Sequence, residues 1–284
     1  MKKIYILMIN IGLLGFGSCF QKLDQDPEFN YPEQPPITYS PRKLALTFED
    51  KNKDMSNYHV ITQQDGNITY PDGKVGKCYQ GAEKSYILVK PSKATYLGDI
   101  SLRDTIAHLE SFTVAFWMKA NESKTGGLFT ISDTKDTWGN LDIFLSGNNV
   151  PNEGFFKIQM AHYTERAVNG EKQYSKSNIW YTPKIANTIG DWVHLAFRYD
   201  IQTRKFDILR NGEVVATKDN FGTPAFHNMG PIVIGTFGNG VTPPLAPSKK
   251  VETWMNAFPG ELDQFYFYNK ALSDEAIKAL YNEK

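Results

Sequence analysis

The chain is poor in cysteine and histidine and carries no excess of either charge. Its 284 residues include 2 Cys and 5 His, and 31 Lys plus Arg balance 31 Asp plus Glu. Two cysteines exclude a disulfide scaffold, and the histidines lack the spacing of zinc ligands. The neutral balance argues against a nucleic-acid partner. The sequence also lacks a Ser-His-Asp arrangement, a phosphate-binding glycine loop and a dinucleotide fingerprint.

The first residues have the pattern of an export signal. MKK is followed by the apolar run IYILMINIGLLGFG, which is too short and wrongly flanked for a membrane span. The run ends in FGSC, which resembles the lipobox of bacterial lipoproteins, although Phe16 stands where leucine is usual. We predict a lipoprotein signal peptide at 1–18 and lipidation of Cys19, with an ordinary secretory signal as the alternative. Cys78 is then predicted to be a buried, inert thiol.

Residues 19–42 are rich in proline and polar side chains and show no sustained period. This composition is typical of a flexible tether. The stretch after Cys19 is similar to that of surface-exposed lipoproteins of Bacteroidetes-type bacteria. We therefore predict a protein held by lipid at the outer membrane or cell surface, with the periplasmic and outward orientations both open.

From residue 43 onwards, short alternating apolar runs are separated by turn residues, which predicts strands. Asn211-Gly212 predicts a type I′ hairpin, and the final segment predicts a short helix with Ser273 as its N-cap. Many short strands without strand-helix-strand alternation indicate an all-β, two-sheet antiparallel sandwich. The predicted strands are 43–50, 84–91, 111–120, 126–132, 141–146, 154–163, 191–200, 204–219, 231–237 and 260–269.

Five segments between residue 43 and the end carry a family pattern. They are TYPDGKVGKCYQGAEKSYILV, SFTVAFWMKA, DWVHLAFRYD, ILRNGEVVA and GELDQFYFYNKALSDEAIKALY. In this order they resemble the laminin-G-type domains of the concanavalin A-like lectin/glucanase superfamily. The resemblance implies a jelly-roll sandwich over 43–284 with a short C-terminal helix. It also implies glycan or protein recognition rather than catalysis.

Glu261 and Asp263 lie two residues apart in a predicted strand and point to one face, as paired carboxylates do in some glycoside hydrolases. Laminarinase-type glycosidases of the same superfamily carry a Glu-x-Asp-x-(x)-Glu run, whose outer glutamates are nucleophile and acid/base. Here Phe265 and Tyr266 stand where the last glutamate is needed. We therefore predict that the protein is not an enzyme, with an unrecognised glycosidase site as the least favoured alternative.

The family pattern also implies that Asp263 lies near a structural calcium site, together with acids that follow the first strand. Glu49 and Asp50 end that strand. Oxygen-rich clusters suit Ca²⁺, which takes six to eight oxygen ligands. We name Glu49, Asp50 and Asp263 as the candidate calcium ligands. The alternative, in which Asp263 bonds backbone amides and 49–54 is a solvated loop, stays open.

Aromatic residues in predicted loops are the candidates for ligand contact, because exposed rings stack on the apolar faces of sugars. Two predicted loops, 163–190 and 237–260, exceed ordinary hairpin connections. The alternative is that each ring only pins its own loop to the sandwich. The candidates are Trp138, Trp180, Tyr181 and Trp254.

These patterns together predict a lipid-anchored, lectin-like binding domain. We expect its ligand to be an oligo- or polysaccharide. A protein-binding adhesion or assembly module is the second hypothesis, since laminin-G-type domains also recognise proteins.

Overall fold

The computed structural model describes residues 39–90, 102–169 and 171–283. The predicted signal peptide, Cys19 and nearly all of the predicted tether lie outside the described residues, so the lipoprotein interpretation stays a prediction. Thr38–Lys284 group into one compact unit. No helix within the described ranges is long and apolar enough to cross a membrane.

Strands dominate the described part of the chain, and the helices are short. The α-helices are α1 (Leu102–Ala107) and α2 (Asp274–Asn282). The strands are β1 (Arg42–Leu46), β2 (Thr62–Asp65), β3 (Tyr79–Gln80), β4 (Tyr86–Val89), β5 (Phe112–Lys119), β6 (Gly126–Asp133), β7 (Leu141–Ser146), β8 (Glu153–Val168), β9 (Glu171–Tyr181), β10 (Lys184–Ala186), β11 (Val193–Asp200), β12 (Lys205–Arg210), β13 (Glu213–Lys218), β14 (Met229–Ile234) and β15 (Glu261–Tyr268).

The strands form two antiparallel sheets packed face to face. The seven-stranded sheet has the order β1-β15-β5-β11-β12-β13, and β3 also pairs with β15. The eight-stranded sheet has the order β10-β8-β7-β6-β14-β4-β2, and β9 also pairs with β8. This arrangement confirms the predicted all-β sandwich of jelly-roll type with a short C-terminal helix.

The core lies between the sheets because alternate side chains of each strand point inwards. In β5, for example, Phe112, Val114, Phe116 and Met118 are all fully buried in this core. The ring of Phe116 stacks on that of Phe265 in β15, with 4.9 Å between centroids. Such rings contribute large apolar areas at the contact between the sheets.

The C-terminal helix covers part of the outer face of the seven-stranded sheet. Ser273 caps α2, since its side chain accepts a hydrogen bond from the backbone N–H of Ala276 at 3.2 Å. Ile277 is buried in a cluster that includes Ala115 and Ala196, which pair across β5 and β11. Small alanines here leave room for the helix to approach the sheet.

Two local predictions have different outcomes. Asn211 and Gly212 form the turn between β12 and β13, and both have positive φ, 52° and 82°, as a type I′ turn requires. The predicted loop at 163–190 is wrong, because most of it forms the β8–β9 hairpin and β10. Exposed polar residues fill much of this hairpin beyond the core, so it lacks the one-sided apolar pattern that reveals a strand.

Candidate ligand-binding surface

Three tryptophans that are distant in sequence meet on the outer face of the eight-stranded sheet, the face that points away from the core. The centroid of Trp138 lies 4.7 Å from that of Trp180 and 5.3 Å from that of Trp254. Trp254 is 37% exposed, whereas the other two are half-buried. We call these three residues the tryptophan cluster.

The tryptophan cluster rests on a buried aromatic base. Phe144 in β7 is 2% exposed, and its ring stacks near Trp138 at 6.0 Å. Phe237, which follows β14, lies 5.0 Å from Phe144 and 5.5 Å from Trp254. Sequence reasoning missed both phenylalanines. The signal for Phe144 was available, because it is out of phase with Leu141, Ile143 and Leu145, whose side chains fill the core.

A buried carboxyl group holds the turn that carries Trp138. Asp142 accepts hydrogen bonds from the backbone N–H of Gly139 at 2.7 Å and from the hydroxyl of Thr130 at 2.6 Å. Burial is the largest influence on this carboxyl and raises its pKa to about 6. The bond to Gly139 fixes the turn that leads into β7, and Trp138 immediately precedes Gly139.

Glycines allow the segment that carries Trp254 to lie against β6. The backbone N–H of Gly127 donates to the carbonyl of Asn256 at 3.2 Å, and a parallel bridge joins Gly127 to Ala257. A Cβ atom at Gly127 would lie 2.3 Å from the backbone carbon of Thr236, and one at Gly126 would lie 2.8 Å from Cα of Phe258. A side chain at Gly126 would displace the Trp254 segment, and one at Gly127 would displace Thr236, which follows β14.

Tyr181 does not belong to the tryptophan cluster. It follows Trp180 in β9, and neighbouring residues of a strand point to opposite faces. Its ring packs towards the core, with centroids 6.3 Å from Phe206 and 6.5 Å from Phe221. The sequence-based expectation of a platform with four aromatic residues therefore reduces to three tryptophans, because the Trp-Tyr pair lies in a strand rather than in a loop.

The candidate calcium ligands contact a loop rather than one another. Asp263 accepts hydrogen bonds from the backbone N–H of Val75 at 2.8 Å and of Gln264 at 2.7 Å. Burial raises the pKa of Asp263 to about 6, against the opposing effect of these amides. Both carboxylate oxygens of Glu49 accept from the backbone N–H of Lys77 at 3.1 Å. The two acids thus bind the 74–77 turn to the sandwich.

Asp50 is exposed and pairs with Lys53 at 3.3 Å. The residues the structure describes contain no group of three or more His, Cys, Asp and Glu side chains that could hold a metal ion. With N–H groups on the oxygens of Glu49 and Asp263, this donor set does not fit Ca²⁺, which needs oxygens free for six to eight ligand positions. Calcium binding stays an untested prediction from the sequence.

The carboxylate pair that resembles a glycosidase motif is engaged in structural contacts. Glu261 forms an ion pair with Lys119 of the adjacent strand at 3.2 Å. Asp263 is fully buried and bonded by amides. A backbone irregularity separates the pair from Phe265, since Gln264 has a φ of 46° and the β15–β5 register shifts there. This geometry offers no second acid at the required spacing.

The family model of the concanavalin A-like lectin/glucanases superfamily, of laminin-G type, matches residues 95–278. This match covers more than half of the chain, which therefore belongs to that family. A search of the curated proteins finds no match.

Several solved structures share the fold at low identity. The binding domain of Paraclostridial Mosquitocidal Protein 1 matches with a TM-score of 0.56 and 16% identity, over 85% of this chain and 52% of that chain. The binding domain of botulinum neurotoxin DC in complex with rat synaptotagmin II matches with a TM-score of 0.54 and 15% identity, over 85% and 51%. The same domain in complex with SialylT matches with a TM-score of 0.55 and 14% identity, over 86% and 51%.

The chain spans about half the length of each of these structures. At such low identity, the matches establish the fold alone. Together with the family match, they define a concanavalin A-like domain whose structural neighbours are binding domains of toxins.

Proposed function

We propose that this protein is a cell-envelope lipoprotein whose lectin-like domain binds an oligo- or polysaccharide without transforming it. The main support is that Trp138, Trp180 and Trp254 converge on one sheet face. The ring centroid of Trp138 lies 4.7 Å from that of Trp180 and 5.3 Å from that of Trp254. Sugar rings present apolar faces that stack on indoles, so a partly exposed group of indoles is suited to them.

The surroundings of the tryptophan cluster favour a preformed platform. Its base is buried, its Trp138 turn is bonded to Asp142, and its Trp254 segment is bonded to β6. Side chains held in place by packing lose little conformational entropy when a ligand binds. If the rings only pinned their own loops, contacts with the sheet beneath would suffice. Direct contacts among three rings from three separate segments go beyond that requirement.

Affinity electrophoresis through gels that contain single polysaccharides tests this proposal. We expect at least one polysaccharide to retard the protein, and we expect Trp180→Ala and Trp254→Ala to reduce the retardation about tenfold. Trp192→Ala is the matched control, because Trp192 is half-buried on the other sheet, beside Lys119. Equal retardation of all four proteins would exclude the tryptophan cluster as the sugar site.

A protein partner is the second candidate function. One structural neighbour is a toxin binding domain in complex with a protein, synaptotagmin II. The partly exposed indoles of the tryptophan cluster could serve as anchors in such an interface as well, since tryptophan is enriched at binding hot spots. The gels separate the hypotheses: retention by a purified polysaccharide that depends on Trp180 favours glycan binding, whereas no retention by any polysaccharide favours a protein partner.

Anchoring through Cys19 is tested separately from ligand binding. We expect detergent-phase partitioning of the full chain expressed in a bacterium, and we expect Cys19→Ala to move the protein to the aqueous phase. The reason is that a diacylated cysteine attaches two acyl chains, which is enough for stable membrane association. Partitioning that does not change in the variant would contradict the lipoprotein part of the proposal.

A further inference from the structure

Two lysines and one phenylalanine lie beside the tryptophan cluster on the same sheet face. Lys157 in β8 is directly opposite Phe144 in β7, and Phe144 is part of the buried base beneath the tryptophans. Phe155 lies two residues before Lys157 and therefore shares its face, and it is paired with Lys184 in β10. Phe156 and Ile158, on either side of Lys157, point into the core.

The register places Lys157 close to the tryptophans. Directly opposite residues of antiparallel strands have Cβ atoms about 5 Å apart, and diagonal neighbours are about 7–8 Å apart. Trp180 is paired with Gln159, two residues from Lys157, which makes Trp180 and Lys157 diagonal neighbours across β8 and β9. The ammonium group of Lys157 lies over Phe155, on the side away from Gln159 and Trp180, so a ligand that stacks on the indoles reaches this ammonium group with a neighbouring sugar.

Both ammonium groups gather around one aromatic ring. The Nζ atoms of Lys157 and Lys184 lie 5.1 and 5.6 Å from the centroid of Phe155. Cation–π contacts of this kind hold both charges at Phe155 without neutralising either. Neither Lys157 nor Lys184 forms an ion pair with a described residue, because the lysine–carboxylate pairs of the described residues involve other lysines. This local positive charge belongs to a chain whose overall charge is zero.

Nearby acids are already engaged. Glu153, on the same face of β8, accepts a hydrogen bond from the side-chain amide of Asn148 at 3.1 Å. Asp142, below the Trp138 turn, is buried and accepts bonds from Gly139 and Thr130. On the Trp254 segment, Glu252 pairs with Lys250 at 3.7 Å. None of these three carboxylates forms an ion pair with Lys157 or Lys184.

From this arrangement we infer that the glycan ligand is acidic. This inference rests on the proposed function. Its sugar rings stack on the tryptophan cluster, and a carboxylate or sulfate group on an adjacent sugar binds between Lys157 and Lys184. Charge-assisted hydrogen bonds from ammonium groups to such anions are stronger than neutral ones. The repulsion between the two lysines in the free protein is relieved when an anion binds, which favours acidic over neutral chains.

The test compares acidic glycans with their neutralised counterparts. Affinity gels contain polygalacturonate or its methyl ester, and dextran sulfate or dextran. We expect at least one acidic member to bind about tenfold more tightly than its partner, and the responding pair distinguishes a carboxylate from a sulfate. We expect the double variant Lys157→Gln/Lys184→Gln to remove this preference. The control Lys218→Gln, on exposed β13 of the other sheet, should leave it unchanged.

The outcomes separate this inference from the function on which it rests. Retention that needs Trp180 and Trp254 but is equal for acidic and neutral members would overturn the acidic-ligand inference and leave glycan binding in place. An acidic preference that the double lysine variant retains would also overturn it, because the selectivity would then come from other residues. Absence of retention in every gel, including gels of neutral glucans and galactans, would overturn both.

Discussion

The substitution Asp142→Asn tests how the platform is built. The pKa of Asp142 is raised from 3.8 to about 6 by burial. Since the folded-state pKa lies above the unfolded value, the protonated carboxyl contributes stability at low pH, and this stability is lost as the pH rises through about 6. A difference of about two pH units corresponds to about 3 kcal/mol, of which roughly half is lost between pH 5 and pH 8.

Urea unfolding of both proteins at pH 5 and pH 8 measures this effect. Asparagine does not ionise, so the stability difference between wild type and variant should change by about 1.4 kcal/mol between the two pH values, with wild type relatively weaker at pH 8. Other titrating groups, such as Asp263, are common to both proteins and cancel. Any constant loss from hydrogen bonds to Gly139 and Thr130 also cancels. A stability difference that is equal at both pH values would refute the buried, proton-binding carboxyl.

Three further predictions concern stability. Gly127→Ala should lower the free energy of unfolding by about 2 kcal/mol or more, because its Cβ would lie 2.3 Å from the backbone of Thr236. Its matched control, Gly147→Ala, where a Cβ meets no atom within 4 Å, should change it by less than about 0.5 kcal/mol in the same denaturation assay. Ile277→Ala should cost about 2–4 kcal/mol by urea unfolding, because Ile277 in α2 is fully buried against the sheet; a loss below 1 kcal/mol would mean that the helix is not docked. EDTA should leave the melting temperature unchanged within about 1 °C, since amides bond Asp263; a decrease that added Ca²⁺ reverses would instead support the calcium prediction.

Much of the sandwich could be predicted because its strands have a one-sided apolar pattern. β5, β7, β11 and β15 fall where the alternation predicts them, and the α2 helix follows its N-cap. The β9 strand could not be found in this way. Many of its residues are polar and exposed, so its sequence lacks a one-sided apolar alternation. Pairing with β8 stabilises it through backbone hydrogen bonds, which leave no trace in side-chain hydropathy.

The site was only partly predictable for a related reason. Trp138, Trp180 and Trp254 could be selected as rings without a clear core position, but their convergence depends on which strands are neighbours. Pairing of β7 with β8 and of β8 with β9 brings the first two together, and the bridge at Gly127 adds the third. Pairings between distant segments set these distances, and no local pattern encodes them.

The sequence suggested two roles for Asp263, calcium ligand or acceptor from backbone amides, and did not distinguish between them. A carboxylate near a glycine-rich turn can bind a cation or the turn's own amides. In the structure the 74–77 turn contacts both Glu49 and Asp263, and its backbone N–H groups donate hydrogen bonds to both carboxylates. Close approach requires glycine at position 76, where φ is 58° and a Cβ would lie on the Glu49 carboxylate.

Isothermal titration calorimetry with an oligosaccharide from the retaining polysaccharide measures whether the tryptophan cluster binds a glycan. We expect Trp254→Ala to weaken binding at least about tenfold and Trp192→Ala to change it less than about twofold. Equal affinity in wild type, Trp254→Ala and Trp180→Ala would contradict glycan binding by this cluster.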